Sequence, residues 1–223
     1  GISDSIKCDP KSRVNIFAHI NHEALKPRLG VLLCINGTGI LNSWIRKNAF
    51  SPDVSYLQMN QMAESVPVGS EGLRVIPFGN GAERILENNS PGCSFNNINF
   101  NIHSISHIVR AIQEGIVFSF RYGLEIMKNI DVNPKIIRAG NSNMFLSKIF
   151  RQTFADSISA NIELYDTDGA LGAARGAGVG AGIFSNNSEA FSSLTKIMTI
   201  EPNYKSLNKM DDLYQDWKQY LKI

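Results

Sequence analysis

The 223-residue sequence lacks the features that mark several common classes of protein. Its three cysteines, Cys8, Cys34 and Cys93, are odd in number and far apart, which excludes a disulfide framework and a CxxC metal site. No apolar run approaches the roughly 20 residues that cross a bilayer, and residues 1–4 resemble no signal peptide. With 22 basic and 20 acidic residues and no basic stripe, neither a nucleic acid nor a membrane is an expected partner. Because the cysteines form no disulfide framework, we expect the protein to lie in a reducing cytoplasm. The first residue is not an initiator methionine, from which we expect a piece of a longer protein.

What the sequence does contain favours a folded domain. Hydrophobic residues make up 43% and charged residues 19%, enough apolar material for a sizeable core, and the length fits one large or two small domains. From residue 73 onward, predicted strands alternate with predicted helices, which favours an α/β layer architecture. Strands are predicted at 14–20, 29–35, 73–77, 135–140 and 161–165, and helices at 40–47, 54–65, 104–129, 143–160, 169–182 and 204–221.

Two of these helices have distinctive patterns. In the helix at 104–129, apolar residues recur at steps of three and four, so we expect Ile112, Ile116 and Phe120 to pack on the sheet. The helix at 169–182 is rich in glycine and alanine instead. Because each glycine costs roughly 1 kcal/mol relative to alanine in a helix, we expect this helix to pack tightly against another backbone.

The strongest local sign of a ligand site is the turn at 138–143, between a strand and a helix. Its Gly140 lets the backbone approach a ligand, and helix N-terminal N–H groups suit phosphate or other polar atoms. An ordinary turn with an Asn or Ser cap explains the same residues. The Gly-Asn-Gly loop at 79–81 is a second candidate, for which a simple turn is the alternative.

Three other polar patterns are interpreted as structural. The loop at 36–39 is similar to a phosphate-binding loop, but it lacks the Gly-Lys-Ser/Thr ending. His19 and His22 have no third ligand nearby at a spacing that suits a metal. The Asp-Thr-Asp segment at 166–168 suits a helix cap better than a Mg²⁺ site. No Ser/His/Asp or Cys/His pairing can be argued from the sequence.

Four blocks, taken together and in order, resemble the C-terminal domain of the FGGY carbohydrate kinases, above all the xylulokinase branch. Residues 73–84 resemble the strand and S-G-E-R turn of that branch, and residues 111–121 its A-x-x-E-G-V-A-F-x-L-R helix. Residues 136–146 occupy the place of the family's glycine-rich adenosine motif. Residues 168–174, with 180–183, are similar to its E-G-A-A-L-G-A-A and V-G-A-G-V/I segments.

The resemblance implies an actin-like (ribonuclease-H-like) ATPase domain of the α/β class, with a mixed sheet and helices on both faces. In such kinases ATP lies in a cleft between two related domains, and the first domain binds most of the sugar. By that likeness, Gly140 lies against the adenine and Asn143 hydrogen-bonds near it. Gly81 and Ala82 line the ribose–phosphate side, and Gly169 lets its helix start close to the nucleotide. The likeness gives this chain no catalytic residue and no metal ligand.

The chain also departs from the family pattern. Residues 139–142 read Ala-Gly-Asn-Ser where the family has Gly-Gly-Gly-Ala or Gly-Gly-Ala, which predicts a variant subgroup or a relaxed nucleotide affinity. The family's first phosphate loop, its catalytic aspartate and its G-T-S-G loop are not found in the sequence. We therefore expect residues 1–223 to be the C-terminal, nucleotide-side domain, with the N-terminal sugar-binding domain absent from this chain.

For the whole protein, the resemblance implies transfer of the γ-phosphoryl group of ATP, with Mg²⁺, to a hydroxyl of a ketopentose such as D-xylulose. The expected partners are ATP and a sugar bound mainly by the missing domain; a homodimer stays open, and the isolated chain is expected to be inactive. Three alternatives remain at this point. They are another FGGY kinase acting on glycerol, gluconate or ribulose, a non-catalytic actin-like ATP-binding module, and an unrelated small-molecule-binding α/β domain.

Overall fold

The computed structural model describes residues 1–36 and 38–221, which form seven α-helices and eight strands. The strands are β1 (Ile2–Ser3), β2 (Asn15–Ala18), β3 (Leu29–Leu32), β4 (Arg74–Phe78), β5 (Gly92–Asn96), β6 (Ile136–Gly140), β7 (Asn161–Tyr165) and β8 (Lys196–Ile200). The helices are α1 (Thr38–Ala49), α2 (Tyr56–Glu64), α3 (Ile105–Lys128), α4 (Lys148–Ile158), α5 (Gly169–Gly180), α6 (Asn187–Ala190) and α7 (Leu207–Gln219). Within the described ranges, no helix is long and apolar enough to span a membrane.

The strands are divided among three small sheets. An antiparallel sheet has the order β1-β3-β2, β4 and β5 form an antiparallel pair, and β6-β7-β8 form a third sheet. In the third sheet β6 runs parallel to β7 while β8 runs antiparallel to it. The parallel pair brings the carboxyl ends of β6 and β7 to the same edge, where Gly140 lies opposite Tyr165. The predicted α/β class with a mixed sheet is confirmed.

Helix α3 forms the centre of the core, as its apolar stripe predicts. Ile112 and Ile116 are completely buried, and Phe120 packs edge-on against the ring of Phe150, with the ring centroids 6.0 Å apart. At Gly115 the helix meets strand β4 so closely that a Cβ atom would lie 2.2 Å from the carbonyl oxygen of Val75. Only glycine permits this approach, because real Cβ atoms do not come so near a backbone oxygen.

Two charged side chains, Arg110 and Glu114, are buried within the largely apolar helix α3. Glu114 accepts hydrogen bonds from Arg110 Nε (2.7 Å) and from the backbone N–H of Gly69 (2.9 Å). These bonds compensate both charges within the core, where an unpaired ion would be strongly unfavourable. They also fix the turn at Gly69, which has a left-handed φ of 92°. Glu114 is therefore a structural residue that ties α3 to the turn before β4.

Helix α7 packs on β4. It contacts the carbonyl oxygen of Val75, the same atom that lies close to Gly115 of α3. Trp217 is completely buried, and its indole Nε1–H donates a 2.8 Å hydrogen bond to the Val75 carbonyl oxygen. Its ring lies near those of Phe118 and Tyr214, with ring centroids 6.0 Å away in each case. Tyr214 donates to Glu125 Oε2 (2.7 Å), and burial together with this bond raises the pKa of the Tyr214 hydroxyl. Strand β4 is therefore held between two helices that lie far apart in the sequence.

Two predicted helices begin differently from the sequence prediction. The helix predicted at 143–160 is interrupted: residues Asn143–Leu146 form one turn of 3-10 helix, and α4 begins at Lys148. Between them Ser147 has an extended backbone, and its Oγ caps α4 by accepting from the N–H of Phe150. The last helix is likewise preceded by a short 3-10 turn, Tyr204–Ser206.

The predicted tight packing of α5 is wrong for the part of the chain that the structure describes. A Cβ atom at Gly169, Gly172 or Gly180 would meet no atom within 4 Å. Gly178 alone of this helix is buried, and it contacts the ring of Phe184 just beyond the helix end. The small side chains of α5 therefore leave most of its surface uncovered.

Candidate functional site

A cavity of about 380 Å³ lies where α1 and α2 meet the connection between β6 and α4. Its lining comprises Gly39, Asn42, Ser43, Tyr56, Asn60, Asn143, Met144, Leu146 and Ser147. We call it the amide cavity, because three of these residues are asparagines. None of the lining residues carries a formal charge. The cavity therefore suits an uncharged group with donors and acceptors, and a phosphate would find no cationic partner inside it.

A buried chain of hydrogen bonds supports the floor of the amide cavity. Ser147 Oγ donates to Gln113 Oε1 (2.7 Å), and Gln113 Nε2 donates to Asn60 Oδ1 (2.9 Å). Gln113 lies on α3 and is 1% exposed, so it bridges α2 and α4 beneath the cavity. Because each of these bonds is made inside the protein, Asn60 and Ser147 hold fixed positions in the lining.

Asn42 differs from its neighbours in the lining. It lies on α1, is only 8% exposed, and its side-chain carbonyl oxygen has no hydrogen-bond partner among the described residues. A buried acceptor without a partner costs about 1–3 kcal/mol. Asn42 lines the cavity, while its Oδ1 atom itself has almost no accessible surface.

The loop after β4 borders a second cavity on α1, of about 410 Å³ and more apolar. Its lining comprises Ile40, Leu41, Trp44, Pro77, Gly79, Asn80, Cys93 and Phe95. Desolvation raises the pKa of the Cys93 thiol, which favours its neutral form in this wall. Asn80 Nδ2 donates to Asn36 Oδ1 (3.3 Å), so this loop contacts the segment that follows β3. The phosphate-loop candidate at 36–39 includes Gly37, which lies outside the described residues.

Gly81 and Ala82 follow directly in this loop. Gly81 has a left-handed φ of 92° and open space where a side chain would be, so the conformation itself explains the glycine. Ala82 has no exposed surface and packs into the core. Any contact with a ligand would therefore come from Gly81, with Ala82 supporting it from beneath.

Gly140 and Gly169 lie beside a third, polar cavity of about 350 Å³. Its lining comprises Asn141, Ser142, Asp166, Thr167, Asp168, Leu171, Arg175 and Ser193. The close approach that Gly140 permits is to the protein's own backbone, since a Cβ atom would lie 2.2 Å from the Thr167 carbonyl oxygen. Gly169 is the first residue of α5 and faces open space. Asp168 caps that helix by accepting from the N–H of Leu171 (2.8 Å), which confirms the predicted role of the 166–168 segment.

The five predicted site residues are thus spread over neighbouring regions. Asn143 lines the amide cavity, while Gly81 lies in the loop beside the apolar cavity and Gly140 and Gly169 flank the polar one. Sequence reasoning missed Asn42, Asn60, Ser147 and Gln113. One signal was available for Gln113, a polar residue in the buried stripe of α3. For the others no signal existed, because residues 42, 60 and 147 come together only in the folded chain.

The described residues contain no group of three or more His, Cys, Asp or Glu side chains that could hold a metal ion. The two histidines near the start of the chain are engaged with loop backbone instead. His19 Nδ1 accepts from the N–H of Asn21 (3.2 Å), and His22 Nδ1 accepts from the N–H of Arg28 (3.2 Å). The structural interpretation of these histidines agrees with these contacts.

Comparison with known sequences gives a consistent result. A family-wide sequence profile described as "FGGY family of carbohydrate kinases, C-terminal domain" matches residues 6–181. The L-xylulose/3-keto-L-gulonate kinase of Escherichia coli (strain K12) is 30% identical over 174 residues, covering 76% of this chain and 34% of that protein. The xylulose kinase of Bacillus subtilis (strain 168) is 27% identical over 215 residues, covering 94% of this chain and 41% of that protein. The chain therefore spans about two fifths or less of these relatives.

Solved structures resemble the chain over nearly its whole length. The xylulose kinase of Rhodospirillum rubrum superposes with a TM-score of 0.78 at 22% identity, covering 98% of this chain and 43% of that one. The glycerol kinase of Plasmodium falciparum, solved with ADP, gives a TM-score of 0.77 at 20% identity, covering 99% of this chain and 44% of that one. The predicted actin-like ATPase fold is confirmed by these matches.

Proposed function

Because this chain belongs to the FGGY family of carbohydrate kinases, C-terminal domain, we propose that it is the nucleotide-side domain of an ATP-dependent sugar kinase. Residues 1–223 form that domain in this proposal, and the sugar-binding domain belongs to the remainder of a longer parent protein. The proposed reaction transfers the γ-phosphoryl group of ATP to a hydroxyl of a ketopentose, with D-xylulose as the first candidate. The chain itself contributes the nucleotide wall and no catalytic base.

The observation that carries the proposal is the amide cavity. Its volume of about 380 Å³ lies within the range of about 300–1,000 Å³ for small-molecule sites. Its wall offers amide groups, the Tyr56 ring and the Met144 thioether, which together suit the flat face and polar edge of a nucleobase. One acceptor in that wall, Asn42 Oδ1, is buried and has no hydrogen-bond partner among the described residues. The cavity therefore fits the base of ATP.

The remaining predicted residues extend the proposal: Gly140 and Asn143 on the adenine side, Gly81 and Ala82 on the ribose–phosphate side, and Gly169 where α5 starts. Asn143 contributes its amide at the rim of the amide cavity, where it is exposed. Gly81, with Ala82 packed beneath it, keeps the loop after β4 free of a side chain. Gly140 lets the end of β6 lie close to the backbone of Thr167 beside the polar cavity, and Gly169 leaves open space at the start of α5. Each of these residues positions or admits a ligand and does not react with it.

Phosphoryl transfer depends mostly on positioning and on stabilising charge, so a domain without a base still serves catalysis. A bound Mg²⁺ would neutralise phosphate charge during the transfer. The acidic residues that the structure describes form no cluster that fits this ion. No metal step is therefore assigned to the chain, whose part is to bind and orient the nucleotide.

A coupled ADP-release assay tests the proposed function. The full-length parent protein and this chain alone would each receive MgATP with D-xylulose, D-ribulose, gluconate or glycerol. We expect turnover by the parent with D-xylulose and none above background by the chain. Turnover with gluconate or glycerol alone would show that the proposed substrate is wrong and that the proposed kinase activity is right. A folded parent that binds ATP and phosphorylates none of the four compounds would favour a non-catalytic ATP-binding protein. Turnover by the repurified chain would overturn the assignment of this chain as half of an enzyme.

A further inference from the structure

Strand β5 is an edge strand with one open side. It pairs with β4 alone, and none of its five residues is buried, whereas all five residues of β4 are. Within the described ranges, residues 92–96 make no backbone–backbone hydrogen bond outside this pairing. The N–H and C=O groups on the outer side of β5 are therefore available to a further strand.

Two residues of β4 show which groups of β5 face outward. Pro77, opposite Cys93, has no N–H to donate to a ladder. Val75, opposite Phe95, has its carbonyl oxygen bonded by Trp217 instead. Both pairs fit the positions of an antiparallel ladder that exchange no backbone bonds, where these groups point away from the partner strand. Cys93 and Phe95 thus direct their N–H and C=O groups toward the open side of β5.

Two other edge strands of the chain carry protection against pairing that β5 lacks. Edge strand β8 contains Lys196 and has a bulge in its pairing with β7, and edge strand β6 contains Arg138. Charges and bulges on an edge hinder pairing with another chain. Strand β5 reads Gly-Cys-Ser-Phe-Asn, contains neither a charge nor a proline, and pairs with β4 without a register shift. Its open side is therefore suited to pairing.

The segment around β5 favours a second copy of the chain as the partner. Residues 88–109 contain no lysine, arginine, aspartate or glutamate, although charged residues make up 19% of the chain. A surface without charge meets no like-charge repulsion when it faces its own copy. The segment is rich in asparagine and serine, whose side chains both donate and accept, so they can pair with themselves across a two-fold axis. Three exposed apolar side chains follow the strand, at Ile98, Phe100 and Ile102.

We propose that β5 pairs with β5 of a second copy, antiparallel and across a two-fold axis at Ser94, which joins two β4–β5 pairs into one four-stranded sheet. Cys93 then lies opposite Phe95 of the second copy, and the two residues exchange the backbone bonds that point outward. Ser94 lies opposite Ser94 of the second copy, where the Cα atoms of such a pair are about 4.5 Å apart. The exposed apolar side chains supply surface that a stable interface, of roughly 800 Å² per partner, needs besides a short ladder.

Sedimentation equilibrium of the full-length parent protein and of the 223-residue chain tests the proposal. We expect a dimer of each, for the chain at twice its 24.6 kDa. Ser94→Lys places two like charges opposite each other and should raise the dimer dissociation constant roughly tenfold or more, as should Ser94→Asp. An equimolar mixture of these two variants should recover the dimer, because opposite charges then face each other. Thr199→Lys, at an exposed position of edge strand β8, is the matched control and should leave the dimer unchanged.

Ser94→Cys tests the same axis without adding charge, and it serves where the charged variants fail to fold. A Cα separation of about 4.5 Å lies within the range that a disulfide spans. Mild oxidation should therefore link two copies, which a non-reducing gel detects. Asn96→Cys is the control, because it lies opposite Gly92 of the second copy and should not link. The unaltered chain measures the background from its three exposed cysteines, Cys8, Cys34 and Cys93.

The results that would overturn the proposal are distinct. Monomeric parent and chain at the highest soluble concentration would overturn it, as would a dimer that is unchanged in folded Ser94→Lys and Ser94→Asp. A dimer of the chain beside a monomeric parent would mean that the remainder of the parent blocks β5. A dimer weakened by charge, but neither restored in the mixture nor linked through Ser94→Cys, would place the contact elsewhere. None of these measurements involves nucleotide or sugar, so the proposed function is tested separately.

Discussion

Helices α3 and α5 both carry glycines among apolar residues, yet only α3 uses a glycine to approach another backbone. At Gly115 of α3, the space of a side chain is taken by the Val75 carbonyl oxygen. At Gly172 of α5, that space is open. Thirteen residues of α3 are buried, whereas Gly178 alone of α5 is. A glycine in a helix thus permits close packing, but the partner that would use it cannot be identified from the helix itself.

The largest expected contrast between these helices comes from a buried charge. Ile116→Asp places an unpaired carboxylate at a completely buried position of α3 and should lower the free energy of unfolding by about 4 kcal/mol or more. Ala174→Asp, at an exposed position of α5, should change it by less than about 1 kcal/mol. Urea unfolding monitored by circular dichroism measures both. Equal losses would show that α5 is as well packed as α3.

Alanine at Gly115 tests the contact with β4 directly. The added methyl group would lie 2.2 Å from the Val75 carbonyl oxygen, so the helix must move away from the strand. We expect a loss of about 1–3 kcal/mol of stability from this overpacking, despite the better helix propensity of alanine. Thermal unfolding is sufficient as a measurement. A variant as stable as the unaltered chain would mean that α3 does not approach β4 so closely.

Removing the N-cap of α5 tests whether local interactions stabilise this exposed helix. Asp168 accepts a hydrogen bond from the N–H of Leu171 (2.8 Å). Asp168→Ala should cost about 1 kcal/mol, the usual value for an N-cap, and should increase hydrogen exchange at residues 169–172. Asp168→Asn, which keeps a capping oxygen, is the control. If exchange in α5 is unchanged by Asp168→Ala, packing and not capping maintains the helix.

The smallest effect is expected to have the opposite sign. Gly172→Ala meets no atom within 4 Å, so it should stabilise the chain by about 0.5–1 kcal/mol through the restricted unfolded state and better helix propensity. The same substitution would then stabilise in α5 and destabilise at Gly115. A destabilised Gly172→Ala chain would reveal a packing partner for α5.

The elements that the sequence predicted best are those with strong, regular patterns. The long stripe of α3 and the apolar strands β6 and β7 are local features, and each was found within about two residues of its observed ends. Strands β5 and β8 were missed. Strand β5 reads Gly-Cys-Ser-Phe-Asn, a sequence with little apolar alternation, and four of the five residues of β8 are exposed. Their pairing with β4 and β7 determines their structure, and pairing is not a property of either segment alone.

The candidate site was predicted only in part for the same reason. Asn143 was identified from the turn in which it lies, and the structure places it in the lining of the amide cavity. Asn42, by contrast, looks like any polar residue of an amphipathic helix until its burial in the folded chain is known. Gly140 illustrates the converse. Its position after a strand predicted a ligand approach, whereas its nearest neighbour is the Thr167 carbonyl oxygen. Gly140→Val would therefore disturb the junction of β6 and β7 before any ligand is considered.

The hydrogen bond from Trp217 to Val75 has a consequence for folding during synthesis. Its partners are separated by 142 positions, so β4 leaves the ribosome long before the residue that completes its surroundings. At a synthesis rate of about 5–20 residues per second, roughly ten seconds separate the two. During that interval the Val75 carbonyl and the faces of Phe118 that later contact α7 remain accessible to solvent and to other chains. Nascent chains of this domain therefore expose strand β4 and part of the apolar core, which are aggregation-prone, for several seconds. The yield of folded protein should depend on chaperones that shield these surfaces until α7 emerges.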